Sequence, residues 1–226
     1  MRQIIPGVYL MQNLRRSHVY LLASEHGLVL IDSGLAGEAE QIVAQLEEAG
    51  YSLSDLRTIL LTHYHGDHIG NAAELARRSG ARVLAHRDDV PYIERTEPAP
   101  AGSSVSRRLL TWMSERVFKT APCKVDKALQ DGDVVDTLGG LQVIHTPGHT
   151  PGSIVFHQPE RRILFCGDVL FNQSSLQLAP SFFSLDVPLA RESARKLADL
   201  SVEVLCLGHG EPILENAQER IRVAVG

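Results

Sequence analysis

The sequence has few cysteines and aromatic residues, and it lacks a long apolar stretch. Three cysteines in 226 residues, without C-x-x-C spacing, do not form the disulfide framework of a small secreted protein. No apolar run approaches the roughly 18 residues that span a bilayer, and the N-terminus has no signal-peptide pattern. These absences predict a cytoplasmic protein with reduced thiols and no membrane partner.

Positive charge is also scarce. Lysine and arginine total 22 against 27 aspartates and glutamates, so the formal net charge is −5. The basic residues are scattered singly or in short pairs, whereas nucleic-acid binding usually requires a basic stripe. The sequence therefore predicts no nucleic-acid partner. The remaining composition, 44% hydrophobic and 22% charged, is typical of a globular domain.

Short apolar runs alternate with helical patterns along the chain, which predicts an α/β fold. The predicted strands are 4–11, 19–23, 28–31, 58–61, 82–85, 134–138, 141–145, 153–156, 162–166 and 202–207. Helices are predicted over 38–50, 67–78 and 189–200, with a last one from 214. Residues 91–124 interrupt this rhythm as a helical insertion. We expect one domain, residues 1–226, made of two halves that each contain a sheet and helices.

The clearest chemical signal is the segment Thr62-His63-Tyr64-His65-Gly66-Asp67-His68, directly after a predicted strand. His63 and His65 point the same way in extended backbone, because strand side chains alternate. Gly66 permits a sharp turn, after which Asp67 and His68 begin a helix. Four groups that bind metals therefore lie within six residues, which indicates a metal site.

Three further candidates lie at the ends of predicted strands, each beside glycine. They are His149, Asp168 and His209. Glycine lets a loop turn tightly and present one side chain to a shared point. Each residue alone is a weak signal, but their order and spacing after the histidine-rich segment make a pattern. The other five histidines have no place in it, so surface or hydrogen-bonding roles are expected for His18, His26, His86, His145 and His157.

This pattern resembles the metallo-β-lactamase superfamily, over nearly the whole chain. The resemblance implies a four-layer αββα sandwich, with two mixed sheets packed face to face, helices outside and a metal site at one edge. It further implies that His63, His65 and His149 bind one metal ion and that Asp67, His68 and His209 bind a second. Asp168 would bridge the two ions. Zinc is expected, with manganese or iron as alternatives, since imidazole and carboxylate ligands suit all three.

Two metal ions imply hydrolysis, because a hydroxide between them can attack a carbonyl carbon. We therefore expect a hydrolase for an ester, lactone or thioester of a small molecule, with Asp67 and Asp168 as catalytic residues. Asp32 either orients a ligand histidine, as in the family, or is a simple turn residue. Cys166 is expected to be a buried structural thiol.

The branch of the family is less clearly marked. The run 165–171, Phe-Cys-Gly-Asp-Val-Leu-Phe, is similar to the hydroxyacylglutathione hydrolases, but their following glycine-arginine element is absent. Aspartate at 168 argues against a true β-lactamase, and Phe171 replaces a tyrosine of the best-known lactonases. A mononuclear iron enzyme like the persulfide dioxygenases and a non-catalytic metal-binding protein are the alternatives. The apolar face of the insertion, with Trp112 and Met113, either packs on a neighbour or roofs the cleft. Oligomeric state stays open, a homodimer included.

Overall fold

The computed structural model describes residues 1–24, 26–101 and 118–226. Its strands are β1 (Arg2–Ile5), β2 (Val8–Leu10), β3 (Tyr20–Ser24), β4 (Gly27–Ile31), β5 (Leu56–Leu60), β6 (Arg82–His86), β7 (Lys127–Leu129), β8 (Val134–Val135), β9 (Leu141–His145), β10 (Ile154–Gln158), β11 (Ile163–Phe165), β12 (Leu170–Asn172), β13 (Leu176–Leu178) and β14 (Val204–Cys206). Its α-helices are α1 (Ala39–Glu48), α2 (Gly66–Ile69), α3 (Ala72–Ser79), α4 (Val90–Ile93), α5 (Val187–Arg195) and α6 (Ala217–Val225). Short 3-10 helices lie at Leu53–Asp55, Ser181–Phe183 and Lys196–Asp199.

The strands form two mixed sheets and a small ribbon. In the first sheet β1 to β7 lie in chain order, antiparallel up to β4 and parallel from β4 to β7. In the second sheet the order is β14-β11-β10-β9-β8, and only β14 and β11 are parallel. The ribbon pairs β12 with β13. No helix of the described residues has the length and apolar character needed to cross a bilayer.

Three apolar clusters hold the layers together. The central cluster joins the facing surfaces of the two sheets, with Leu22 and Ile31 on one side and Phe156 and Phe165 on the other. A second cluster packs α1, α2 and α3 on the outside of the first sheet, and a third packs α5 and α6 on the outside of the second. Along each strand, successive side chains point to opposite faces of the sheet, so they pack alternately in the central cluster and in the cluster under the helices. The predicted α/β fold with four αββα layers is confirmed.

Two predicted elements are wrong in their extent. The strand over 4–11 is a hairpin of β1 and β2, because Pro6 lacks an N–H donor and Gly7 turns the chain at a φ of +81°. The helix over 67–78 is two helices, α2 and α3, broken at Gly70 and Asn71. Gly70 packs so closely on the backbone of residues 34–36 that a Cβ would overlap it.

Strands β7, β12 and β13 were not predicted. Of the helical insertion predicted over 91–124, the part with Trp112 and Met113 lies outside the described residues. The described end of the insertion touches the histidine-rich segment, because the backbone oxygen of Phe118 lies 2.5 Å from where a Cβ of Gly66 would stand.

Candidate metal centre

The predicted metal-binding residues all lie at one edge of the sandwich. His63 follows β5, Asp168 follows β11 and His209 follows β14, while His149 lies in the loop between β9 and β10. Because β11 and β14 are parallel neighbours, their carboxyl ends meet at this edge. A hydrogen bond of 3.0 Å from the Ile154 N–H to the Thr62 carbonyl joins this edge of the two sheets.

Asp168 lies at the middle of the cluster. Its Oδ1 is 3.3 Å from His68 Nε2, and its Oδ2 is 3.5 Å from His149 Nε2 and 3.4 Å from His209 Nε2. His63 Nε2 is 4.0 Å from the same Oδ2. One carboxylate therefore faces ring nitrogens of four histidines, as a shared ligand would.

Two groups of possible ligands lie on either side of this carboxylate. His63, His65 and His149 bring ring nitrogens within 4.8 Å of one another, and so do ligand atoms of Asp67, His68 and His209. Within these groups, His63 Nε2 is 3.1 Å from His65 Nδ1, and His209 Nε2 is 3.6 Å from Asp67 Oδ2. The structure thus brings together all seven residues that the sequence singled out.

Asp32 fixes the orientation of one of these histidines. Its Oδ2 accepts a hydrogen bond of 2.8 Å from His68 Nδ1, which leaves Nε2 of that ring directed at Asp168. The same carboxylate accepts from the backbone N–H and the hydroxyl of Thr62, both at 2.8 Å. Of the two roles open for Asp32, the geometry favours orientation of a histidine over a simple turn residue.

Charge and burial set the protonation of the cluster. Burial lowers the pKa of His65 to about 4 and that of His149 to about 3, and it lowers the pKa of His63 well below the usual range. These rings are neutral at pH 7, as metal ligation requires. Burial also opposes the charge of His68, but the carboxylates of Asp168 and Asp32 outweigh it and raise its pKa well above the usual range.

Buried polar atoms of the cluster lack hydrogen-bond partners among the described residues. They include His68 Nε2, both ring nitrogens of His149 and Asp168 Oδ1. The 3.3 Å approach of His68 Nε2 to Asp168 Oδ1 does not have hydrogen-bonding geometry. Unpaired buried polar atoms cost free energy, on the order of 1–3 kcal/mol each. Metal coordination would satisfy atoms of this kind, so the donor set fits divalent cations of borderline softness.

Comparison with known proteins agrees with this geometry. A model of the metallo-beta-lactamase superfamily matches residues 13–209. The chain belongs to this superfamily. The predicted family is therefore confirmed, and the histidine and aspartate clusters together with this membership support a metal-dependent hydrolase.

The chain is similar to two proteins named as hydrolases and to a solved structure. Probable metallo-hydrolase YflN of Bacillus subtilis strain 168 is 31% identical over 210 residues, 86% of this chain and 80% of that protein. Hydroxyacylglutathione hydrolase GloC of Haemophilus influenzae is 29% identical over 170 residues, 75% of this chain and 71% of that protein. The crystal structure of a metallo-beta-lactamase family protein from Thermus thermophilus has a TM-score of 0.76 and 26% identity, and the match covers 99% of this chain and 79% of that one.

The sequence did not single out two polar residues that support the metal-binding segments. Asn71 holds the chain after α2, because its side-chain amide donates to the Leu35 carbonyl at 2.8 Å and its oxygen accepts from the Glu38 N–H at 3.0 Å. Asp89 is fully buried and links the His63–His65 segment to the His149 loop. A carboxylate just past a parallel strand was the only sequence signal for Asp89.

Two of the other histidines and the cysteine match their predicted roles. His18 and His157 approach backbone oxygens at 3.1 Å, to Leu207 and Ser201 respectively. Cys166 is buried in the cluster between the second sheet and its helices, where burial raises the pKa of its thiol to about 12. The thiol is therefore inert at neutral pH.

His86 and His145 form a separate pair, with Asp88 nearby. Their rings stack with centroids 3.9 Å apart and planes inclined by 16°. Nearly parallel rings direct their nitrogen lone pairs side by side instead of toward one point, so this pair does not have the geometry of a metal site. His145 Nε2 is 2.8 Å from the Pro151 carbonyl.

The His86 pair predicts a pH effect on stability. Burial and then the neighbouring His145 lower the pKa of His86 to about 4, from 6.5 in the unfolded chain. As pH falls from 6.5 toward 4, the unfolded chain gains a proton that the folded protein does not, so the folded state loses stability. Over this pH range we expect the free energy of unfolding of His86→Gln to fall by on the order of 2 kcal/mol less than that of the unmodified protein. Urea unfolding of the two metal-free proteins measures this difference. Parallel pH profiles for the two proteins would contradict this assignment.

A cavity of about 370 Å³ opens beside the metal-binding cluster. His149 and Asp168 form part of its wall, and most of the remainder comes from residues between β13 and α5. Its size is at the lower end of small-molecule sites. The described wall comes from other segments than the insertion, and the insertion residues Trp112 and Met113, for which packing and roofing were both left open, lie outside the described residues.

Proposed function

We propose that this protein binds two divalent metal ions and hydrolyses an ester, lactone or thioester bond of a small molecule. The observation that carries the proposal is the position of Asp168, whose carboxylate faces both groups of ligands at 3.3–3.5 Å. In this proposal His63, His65 and His149 hold one ion, and Asp67, His68 and His209 hold the other. Zinc is the expected metal.

Two bound divalent cations supply Lewis acidity, which lowers the pKa of a water and polarises a carbonyl. The chain contributes the arrangement of the groups around them. Asp32 accepts the hydrogen bond from His68 Nδ1, so once that ring is neutral its proton stays on Nδ1 and Nε2 is the nitrogen available to a metal ion. The side chain of Asp67 is 18% exposed, so a water can reach it and donate a hydrogen bond to it.

The cavity wall positions the substrate. The apolar side chains of Val169, Leu178 and Val187 can contact the carbon skeleton, while His149 and Asp168 place the reacting carbonyl at the end of the cavity. Hydrolysis adds the water oxygen to the acyl carbon, and the departing alcohol or thiol takes a proton. The hydroxyacylglutathione hydrolase relative supports a thioester as one candidate substrate.

The test combines metal content and turnover in one sample. Protein purified without added metal is analysed by elemental mass spectrometry and assayed against matched lactone, thioester and aryl ester substrates. We expect close to two metal ions per chain and cleavage that is lost in His65→Ala. About one iron per chain, no hydrolysis and oxygen uptake with a persulfide would replace this proposal by the dioxygenase alternative. Bound metal without either activity would favour the non-catalytic alternative.

A further inference from the structure

The cavity beside the metal-binding cluster has one cationic wall residue among the described residues. Its described lining comes from the metal-binding loops, from β13 and the segment after it, and from α5. Arg191 supplies the positive charge, and Asp168, which faces the four histidines, is the single carboxylate of this lining. Apart from Asp168 in the cluster, no acidic residue lies beside Arg191 in the described part of the wall.

Arg191 is placed toward the cavity by the helix that carries it. Val187, Ala190 and Arg191 are spaced i, i+3 and i+4 on α5, so they share one face of that helix. The helix is fixed against the metal-binding loop. The Asp186 N–H donates to the Gly148 carbonyl at 2.9 Å, and the Ser193 hydroxyl donates to the Pro147 carbonyl at 2.7 Å. The helix that carries Arg191 is thus fixed to the loop that carries His149.

The guanidinium of Arg191 has no ion-pair partner within the part of the chain that the structure describes. Other arginines of the chain are paired, such as Arg15 with Glu38 at 3.1 Å and Arg162 with Glu203 at 3.2 Å. The nearest acidic group before α5 is already engaged, because Asp186 Oδ1 accepts from the Leu189 N–H at 3.0 Å. Arg191 is exposed, so it is accessible to a solute that enters the cavity.

A guanidinium presents two parallel N–H groups that match a carboxylate, and such pairs are stronger than neutral hydrogen bonds. The same cavity is lined by the apolar side chains of Val169, Leu178 and Pro180 and by two members of the metal-binding cluster. A cavity that combines this cluster, apolar side chains and a cation is complementary to a short acyl chain that ends in a carboxylate.

We propose that the substrate is an ester or thioester whose acyl portion carries a terminal carboxylate, and that Arg191 binds this carboxylate while the reacting carbonyl lies against His149 and Asp168. The proposal rests on the hydrolase function proposed above and names its substrate class. Arg191 then determines specificity and takes no part in bond cleavage.

The test compares two esters of equal chain length. They are 4-nitrophenyl hydrogen glutarate, which carries the carboxylate, and 4-nitrophenyl pentanoate, which does not. We expect Arg191→Gln to lower kcat/KM for the glutarate ester about 10- to 100-fold more than for the pentanoate ester. Arg191→Lys should recover part of this difference. Arg195→Gln, one turn further along α5 and outside the cavity lining, serves as the matched control and should leave the ratio unchanged.

A binding measurement separates this inference from the hydrolase proposal. Glutarate is titrated into the metal-free protein by calorimetry, and binding should be lost or weakened at least tenfold in Arg191→Gln but kept in Arg195→Gln. If no ester, lactone or thioester is hydrolysed but glutarate binding depends on Arg191, the hydrolase proposal fails while the binding site stands. If both esters are cleaved and Arg191→Gln changes neither their ratio nor glutarate binding, the carboxylate site is wrong and the hydrolase proposal stands.

Discussion

Replacing Asp168 with asparagine is expected to lower kcat/KM for the preferred ester by at least about 1,000-fold, equivalent to about 4 kcal/mol of transition-state stabilisation. The side chain is 7% exposed and faces His68, His149 and His209 within 3.5 Å. An amide keeps the shape but loses the negative charge, and its NH₂ group would face ring nitrogens that need an acceptor or a metal. We therefore also expect less than two metal ions per chain in the variant.

Metal content by elemental mass spectrometry and steady-state kinetics on the same preparation test this prediction. Asp136→Asn is the matched control, because Asp136 is exposed and lies outside the cluster. Thermal melting of both variants shows whether either change has unfolded the protein. An Asp168→Asn variant that keeps two metal ions and near-normal turnover would show that Asp168 does not have the shared role proposed for it.

The metal-binding residues could be predicted because their signal is local. His63, His65, Asp67 and His68 lie within six positions, and alternation along a strand followed by a turn at Gly66 is enough to bring them together. The apolar runs and helical patterns also predicted an α/β fold in two halves, each with a sheet and helices, whereas the four αββα layers came from the family resemblance. Family resemblance then supplied the partners His149 and His209, which no spacing rule connects to the segment.

The break between α2 and α3 could not be predicted from helical periodicity. Residues 67–78 contain a continuous apolar pattern, but Gly70 must pass close to the backbone of residues 34–36, and Asn71 binds four backbone groups there. Contacts of this kind join segments more than 30 residues apart. Tertiary hydrogen bonds therefore decide the local structure, and the local sequence does not show them.

The contacts of Asp32 decide between two roles that the sequence left open, a turn residue and a residue that orients a ligand histidine. The position of Asp32, after a strand and before Ser33 and Gly34, is equally compatible with a turn residue and with a residue that orients a histidine. The residue does have a φ of +60°, as a turn aspartate often has. Its carboxylate nevertheless faces Thr62 and His68, 30 and 36 positions away, and is 2% exposed. The turn conformation is thus what directs the carboxylate toward the ligand histidine.

Gly208 illustrates a constraint imposed by the cluster itself. A Cβ at this position would overlap Asp168 Oδ1 and would lie 2.9 Å from His68 Cε1. The glycine beside His209 is therefore needed for the close approach of the chain to the shared carboxylate, in addition to any freedom that it gives the loop. The sequence showed a glycine beside each of His149, Asp168 and His209, but only the structure shows which atoms Gly208 accommodates.

Asp89→Asn is expected to weaken zinc binding about 10- to 100-fold and to lower the free energy of unfolding by about 2–4 kcal/mol, although Asp89 is not among the proposed ligands. Its Oδ2 accepts from the Tyr64 N–H at 2.9 Å and from the Thr150 hydroxyl at 2.8 Å, and its Oδ1 accepts from the Gly152 N–H at 2.6 Å. All three partners are donors, so an amide would bring its own N–H groups against at least one of them.

The Asp89 carboxylate joins the two segments that would hold one metal ion, the segment with His63 and His65 and the loop with His149. Tyr64 lies between His63 and His65, and Thr150 follows His149, so loss of the link lets the two ligand segments separate. Zinc affinity by competition with a chromophoric chelator and unfolding in urea measure the two effects. Asp88→Asn is the matched control, since the neighbouring Asp88 side chain is 44% exposed. If Asp89→Asn binds zinc as tightly as Asp88→Asn does, Asp89 stabilises the fold without positioning the ligands.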